Sequence, residues 1–440
     1  MRLHLRRSLP ALLPLAVGAL ASGTVVVAMV VTLLPAFFVA SSAGSDSLGI
    51  GAWRALAALP DIGTTVALTW VTGVGATLLS FVLACCLCTW AMTPGRLRPT
   101  LVIAAAVAAV PPAALAAGVA SLSWPAGAWW ARWAPGSHTG AGLMIVVLSL
   151  KEAPFLAAMM LIALPRVAVE GHAALAATLG YSRAEAFAKV ALPQIIPRMR
   201  LPVWAALAWS LSAVSVASIL GPEAPPTLAM VAWRGLGTDT AGQHGVGAAA
   251  AGLVLALVVA AIVFFRALER IAAHAVRAWL GRGGRGRVAG AVAGAGTAIA
   301  ATGLVIVVAA IVRLLRSWAG PSARTDSASP SQALLGAVAG PSGAAAGSPD
   351  AAFAMTLIIG AVATLIALAM AIACLEAEDR ARVRGGWPIL LWVPWVVPQI
   401  AVVPGMAWIL SNADTGVPMA GIIVMAGMIV AQLVFVFPCV

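Results

Sequence analysis

Apolar residues run along this chain in long blocks, separated by short polar or basic interruptions. Blocks long enough to cross a bilayer, about 20 residues each, fall at roughly 9–40, 62–92, 100–123, 140–163, 201–221, 244–265, 288–312, 351–375, 387–410 and 416–440. Gly, Ala and Ser recur inside them, which suits the close approach of helices in lipid. The pattern predicts an all-α polytopic membrane protein with about ten spans. Composition agrees: with 62% hydrophobic and 9% charged residues over 440 positions, a soluble domain would lack the polar surface it needs. The opening MRLHLRR and the apolar stretch ending near Leu20-Ala21 imitate a secretory signal, but the block continues to Ala40 and reads as an uncleaved first span.

A net charge of +12 would suggest nucleic acid as a partner in a soluble protein. Here the positions of the basic residues point elsewhere. With the N-terminus in the cytoplasm, most of them fall on the inner side, and only Arg54, Arg132, Arg234, Arg313, Arg316 and Arg324 lie outside. That bias is the one that sets membrane topology, so the expected partner of the charge is the bilayer and no nucleic acid is expected.

The chain also repeats itself. Thr69, Gly73, Ala76, Thr77 and Leu78 recur 287 residues later as Thr356, Gly360, Ala363, Thr364 and Leu365, and Gly118 recurs as Gly405. Thr139-Gly140 recurs as Thr415-Gly416 after a shorter offset of 276, the difference being a longer, Trp-rich outer loop in the first copy. Two tandem halves in parallel orientation are expected. Residues 1–270 form the first half and contain a cytoplasmic loop at 164–200. Residues 271–350 supply a basic linker, a bridging span and an outer loop rich in Ser, Pro, Gly and Ala. Residues 351–440 begin the second half.

The most distinctive segment lies in the 164–200 loop: ALAATLGYSRAEAFAKVALP, from Ala174 to Pro193. Gly180 is suited to the left-handed turn that ends one helix, and Ser182 with Glu185 forms an S-x-x-E capping box for the next, which Pro193 and Pro197 are expected to limit. Two short helices meeting at a glycine would project Leu175, Leu179, Phe187 and Val190. Ala174, Leu175 and Ala176, then Gly180 after three residues, then Val190, Leu192 and Pro193 after nine more, have the spacing of the EAA loop. The segment resembles that loop in the fused two-half permeases of type I ATP-binding-cassette importers, the group serving ferric iron, thiamine, sulfate and polyamines. It departs from the pattern at Ala174, where the family usually carries Glu.

The resemblance implies a transport subunit with no catalytic residues of its own, in a bacterial inner membrane. Its implied partners are two cytoplasmic ABC ATPase subunits, which the loop contacts, and an extracytoplasmic solute-binding protein. A second copy of the loop, displaced by 276 to 287 residues, would fall just past Val440, so the second half is expected to be incomplete here.

Other chemistry is sparse. The two lysines, Lys151 and Lys189, follow Leu150 and Ala188, so neither belongs to a Gly-Lys-Ser/Thr phosphate loop, and any ATP hydrolysis is expected on a separate subunit. Gly281, Gly283 and Gly286 satisfy G-x-G-x-x-G without the preceding strand that a dinucleotide site needs. Cys85, Cys86 and Cys88 share one span, where they read as small apolar residues, and no metal or other cofactor is expected. Trp124, Trp129, Trp130 and Trp133 read as interfacial anchors. Lys151 and Glu152 stand inside the fourth span, where charge is costly and faces a cavity or a partner. They are candidates for the translocation path or its gate. An ion- or proton-coupled secondary transporter using that pair is the alternative reading.

Overall fold

The computed structural model describes residues 2–39, 47–92, 95–122, 140–164, 175, 178–181, 183–238, 240–281, 298, 301–313, 316, 349–381 and 393–411. The Trp-rich loop at 124–133, Gly283 and Gly286, Cys439 and the last predicted span at 416–440 lie outside these residues.

The described chain is helical apart from one short antiparallel pair, β1 (Phe38–Val39) with β2 (Ser47–Leu48). The helices are α1 (Arg2–Leu33), α2 (Gly51–Ala57), α3 (Ile62–Ala91), α4 (Leu97–Ala109), α5 (Pro112–Ala120) and α6 (Ala141–Ala163). After these come α7 (Arg183–Ala186), α8 (Leu192–Leu211), α9 (Val214–Leu220), α10 (Leu228–Leu236) and α11 (Ala241–Gly281). The series ends with α12 (Ala301–Arg313), α13 (Pro349–Ala381) and α14 (Val403–Ser411). Among the described residues, four helices are long and apolar enough to cross a membrane, and up to six spans result if each of two bent pairs counts as one. These fall at the first six predicted blocks. The blocks at 288–312, 351–375 and 387–410 carry shorter apolar helices, Ala301–Arg313, Gly360–Cys374 and Gln399–Ile409.

The bent pairs have local causes. Pro111 and Pro112 break the predicted 100–123 span into α4 and α5, which meet at 85°, because neither proline can donate to the turn before it. The second bend, 45° between α8 and α9, falls at Ser212 and Ala213. Conversely, Pro193 and Pro197 do not limit a short helix as the sequence suggested. A π turn over Phe187–Ala191 leads directly into α8, which carries Pro193 in its first turn and runs on through Pro197 and Pro202. The extra residue of the π turn takes up the register just where Pro193 lacks its N–H. The stretch from 271, read from sequence as the start of a basic linker, is helical to Gly281 as the end of α11.

The chain divides into two compact units, one comprising Val27–Leu314 with Trp395–Gly405, the other Met1–Val26, Leu315–Pro394 and Met406–Val440. In the first unit, α3 and α6 form the central pair, and α8 packs against both. One apolar cluster joins Leu83 of α3, Leu115 and Val119 of α5, Met144 and Leu148 of α6, Leu220 of α9 and Val307 of α12. Another joins Ala84 and Cys88 of α3, Leu156 and Met160 of α6, and Phe187, Ile195 and Met199 of the π turn and α8. A third gathers the alanines Ala248–Ala251 of α11 around Leu228 and Ala232 of α10. In the second unit, Val17 packs with Met370, Ala371 and Cys374.

Several repeated positions behave alike. Thr77 donates its hydroxyl to the Gly73 carbonyl at 2.9 Å, and Thr364 donates to Gly360 at 2.7 Å. Pro111 has φ −59° and ψ 139°, and Pro398, 287 residues later, has φ −62° and ψ 132°, each opening a shorter apolar helix. Gly118 and Gly405 both sit under a neighbouring backbone. A Cβ at Gly118 would lie 2.8 Å from the Ala310 carbonyl oxygen, and one at Gly405 would overlap that of Ala28.

These close approaches give a first prediction. Gly118→Val forces α12 away from α5 and is expected to cost about 1–3 kcal/mol. Gly360→Ala meets nothing within 4 Å and is expected to be neutral. The monodisperse fraction of detergent-solubilised protein, followed by size-exclusion chromatography during heating, checks both outcomes.

Candidate functional site

The loop segment is built around a turn. Leu175 and Thr178 are helical, and Leu179 donates its N–H to the Leu175 carbonyl at 3.2 Å. Gly180 then takes φ 82°, the left-handed conformation that halts the first helix. After Tyr181 the chain turns into α7, and Lys189 places its ammonium over the Tyr181 ring at 4.8 Å, closing the turn from its far side. Ala174, Ala176 and Ser182 lie outside the described residues. Glu185 is buried in α7, Val190 and Leu192 are half-buried, and Pro193 opens α8. Leu175 and Leu179 are 59% and 52% exposed, whereas Phe187 is buried against α3 and α6. The apolar residues therefore divide the work: the first helix presents its leucines outward, and Phe187 anchors the second.

Because α7, the π turn and α8 are continuous, this segment leads straight into the first half of the bent apolar pair α8–α9. Gln194 donates its side-chain N–H to the Val190 carbonyl and Arg198 donates to that of Gln194, at 2.8 and 3.1 Å, along the proline-interrupted stretch. Arg200 then reaches Glu269 of α11 with two nitrogens, at 2.7 and 3.1 Å, and Arg266 reaches the same carboxylate at 2.8 Å. This three-member cluster ties the loop-proximal half of α8 to α11. An apolar groove of about 450 Å³ lies along it, lined by Phe81, Leu192, Ile196, Trp204, Phe265 and Val276 among others.

Lys151 and Glu152 are neighbours in α6 but do not pair with each other. Lys151 donates to the carbonyls of Ala108 and, at 2.6 Å, Val110. The reason lies in the α4–α5 break. The carbonyls of Val107 and Ala108 would ordinarily accept from positions 111 and 112, both prolines. Val110 N–H turns back to Val107 at 3.2 Å, and Lys151 supplies the donor that Ala108 lacks. In a low-dielectric setting an unfilled carbonyl is expensive, so this lysine completes a helix end in addition to carrying charge. Glu152 is 5% exposed. It accepts from Ser210 of α8 through one carboxylate oxygen, and its other oxygen lies 3.4 Å from the hydroxyl of Ser80 of α3, whose shorter bond goes to the Ala76 carbonyl at 2.7 Å. Ser80 and Ser210 are functional candidates that sequence alone did not bring forward, since only the three-helix packing unites them with Glu152.

Of the cysteines, Cys88 is buried with its thiol 3.6 Å from the Ala157 carbonyl, Cys86 is buried and Cys85 partly so. Among the described residues no three His, Cys, Asp or Glu side chains come together as a metal site.

No protein-family model matches the chain. It is similar to the inner membrane ABC transporter permease protein YnjC of Escherichia coli (strain K12), with 37% identity over 129 residues. That match covers 29% of this chain and 25% of the relative's length.

Proposed function

We propose that this chain is a membrane-spanning permease subunit of a type I ATP-binding-cassette importer, multi-pass in a bacterial inner membrane with its N-terminus in the cytoplasm. The observation that carries the reading is the left-handed turn at Gly180 beside exposed leucines, followed by α7, whose π turn runs directly into α8, one half of a bent pair long and apolar enough for a span. The similarity to an ABC transporter permease supports it. On this reading, residues 174–193 dock on one of two cytoplasmic ABC ATPase subunits, with Ala174, Leu175, Ala176 and Gly180 on the first limb and Ser182, Glu185, Val190, Leu192 and Pro193 on the second. An extracytoplasmic binding protein delivers the solute. ATP-driven closure of the ATPases pushes the loop, and α8 carries that motion into the bilayer, where Lys151 and Glu152 belong to the path or its gate. Residues 1–270 are the first permease half and residues from 351 begin the second, an arrangement supported by the matching backbone at Pro111 and Pro398 and the close approaches at Gly118 and Gly405.

The buried Glu152 carboxylate between two hydroxyls supports the alternative, a secondary transporter driven by ions or protons. Uptake into inside-out and right-side-out vesicles separates the two. The permease reading expects uptake that needs ATP and survives collapse of the proton gradient. Uptake that stops with the gradient and ignores ATP would favour the alternative.

The orientation has its own test. Arg183→Cys and Arg234→Cys, each in a background without native cysteines, are expected to react with an impermeant thiol reagent from the inner and outer sides respectively. Reaction of position 183 from outside would reverse the topology and remove the loop from any cytoplasmic partner.

A further inference from the structure

The two charged residues of α6 bond to different neighbours, and the helix geometry explains how. Consecutive positions project about 100° apart around a helix, so Lys151 meets α4 while Glu152 meets α8 and α3. The contacts to α4 and α8 fall where those helices are interrupted, whereas Ser80 stands mid-way along the unbroken α3. Ser210 lies two residues before the α8–α9 bend, and Ala108 and Val110 border the α4–α5 break. Ser80, Ser149, Glu152 and Ser210 are all buried, with exposures of 0%, 0%, 5% and 1%. Ser80 also lies 3.3 Å from the Ser149 carbonyl one turn earlier on α6. The polar contacts of this region therefore run from α8 to α6 and from α6 to the break, with the same turn of α6 in the middle.

We propose that Lys151 and Glu152 form a transmission joint, in which Glu152 fixes α6 to α8 through Ser210 and Lys151 fixes the same turn to the α4–α5 break. A shift of α8 is then delivered to the break. The residues act as positioning residues: Lys151 holds the prolyl break in one geometry, and Glu152 makes that geometry depend on where α8 stands. The functional meaning rests on the permease reading above, because α8 is the helix that continues from the loop. The physical coupling itself does not.

A double-mutant cycle on the intact protein in lipid nanodiscs tests the joint, with hydrogen–deuterium exchange of residues 104–120 as the readout and no ATPase present. Ser210→Ala, which removes a donor on the far side of α6 from the break, is expected to raise exchange at the break on the order of fivefold. In a Lys151→Met background the same change at Ser210 is expected to add nothing, because the link is already cut. Lys151→Arg, which keeps donors for the two carbonyls, is expected to restore the response. Glu152→Gln serves as the second way of loosening the α8 contact if Ser210→Ala does not fold.

Equal increments from Ser210→Ala in both backgrounds, or increments confined to α8, would overturn the joint while leaving the permease reading intact. Uptake indifferent to ATP would remove the permease reading and leave the coupling measured by the cycle.

Discussion

Replacing Gly180 with valine is expected to lower uptake per ATP hydrolysed on the order of tenfold, with the amount of inserted protein unchanged. Gly180 has φ 82° and nothing within 4 Å of where its Cβ would stand. Space is therefore not the constraint; backbone conformation is. An L-residue in the left-handed region costs roughly 1–2 kcal/mol, and a β-branched one resists it further. That cost falls on the turn, because among the described residues no neighbouring helix approaches the Gly180 Cβ position within 4 Å. The two limbs of the loop would meet at a different angle, and Leu175 and Leu179 would no longer be presented together with α7. A graded series sharpens the result. Asn tolerates the left-handed region best after glycine, so Gly180→Asn should retain most coupling, Gly180→Ala less and Gly180→Val least. ATPase turnover and solute uptake measured in the same proteoliposomes give the ratio directly. Normal coupling by the valine variant would remove the loop's proposed role, and parallel loss of insertion would move Gly180 from function to folding.

The parts of the fold set by long-range solvent preference were legible in the sequence. An apolar block of 20 or more residues has one stable arrangement in a bilayer, since only a helix satisfies its own backbone there, and α1, α3, α6 and α11 fall where the blocks predict. The left-handed turn at Gly180 was legible for a similar reason, because few residue types occupy that region without strain. Proline was harder to read. Pro111-Pro112 breaks its helix and Pro398 begins another, yet Pro193, Pro197 and Pro202 are carried inside α8. The difference is whether a neighbour completes the carbonyls or a π turn absorbs the register, and neither is visible from a proline's own position. The Lys151 site could have been found: two adjacent prolines in an apolar block orphan two carbonyls, and an unpaired lysine in a nearby span is the donor they need. The Glu152 site could not. Ser80 and Ser210 are ordinary small residues in their spans, and only packing of α3, α6 and α8 brings their hydroxyls to one carboxylate.

Glu152→Gln is expected to reduce uptake on the order of tenfold while folded abundance stays within about twofold, because the buried contact loses one acceptor and a poorly matched buried polar group costs about 1–3 kcal/mol. The amide keeps the size of the side chain and still offers an oxygen to Ser210. The helices therefore remain packed, but the contact that fixes α8 against α6 is weaker and one of its two acceptors has become a donor. Glu152→Ala is the structural control. It empties a buried site and leaves Ser80 and Ser210 facing a void, so abundance should fall together with uptake. If Glu152 mattered only for stability, the glutamine variant would lose both quantities in proportion. If it belongs to the gate of an ATP-driven permease, uptake falls at every pH while ATP hydrolysis continues, since motion still enters at the loop but reaches the α4–α5 break less completely. A proton-coupled carrier predicts something different again: glutamine cannot exchange a proton, so gradient-driven accumulation should vanish while downhill exchange of solute persists. Measuring uptake, ATP turnover and counterflow on one preparation of the glutamine variant separates these three mechanisms, and full uptake in that variant would exclude Glu152 from the gate.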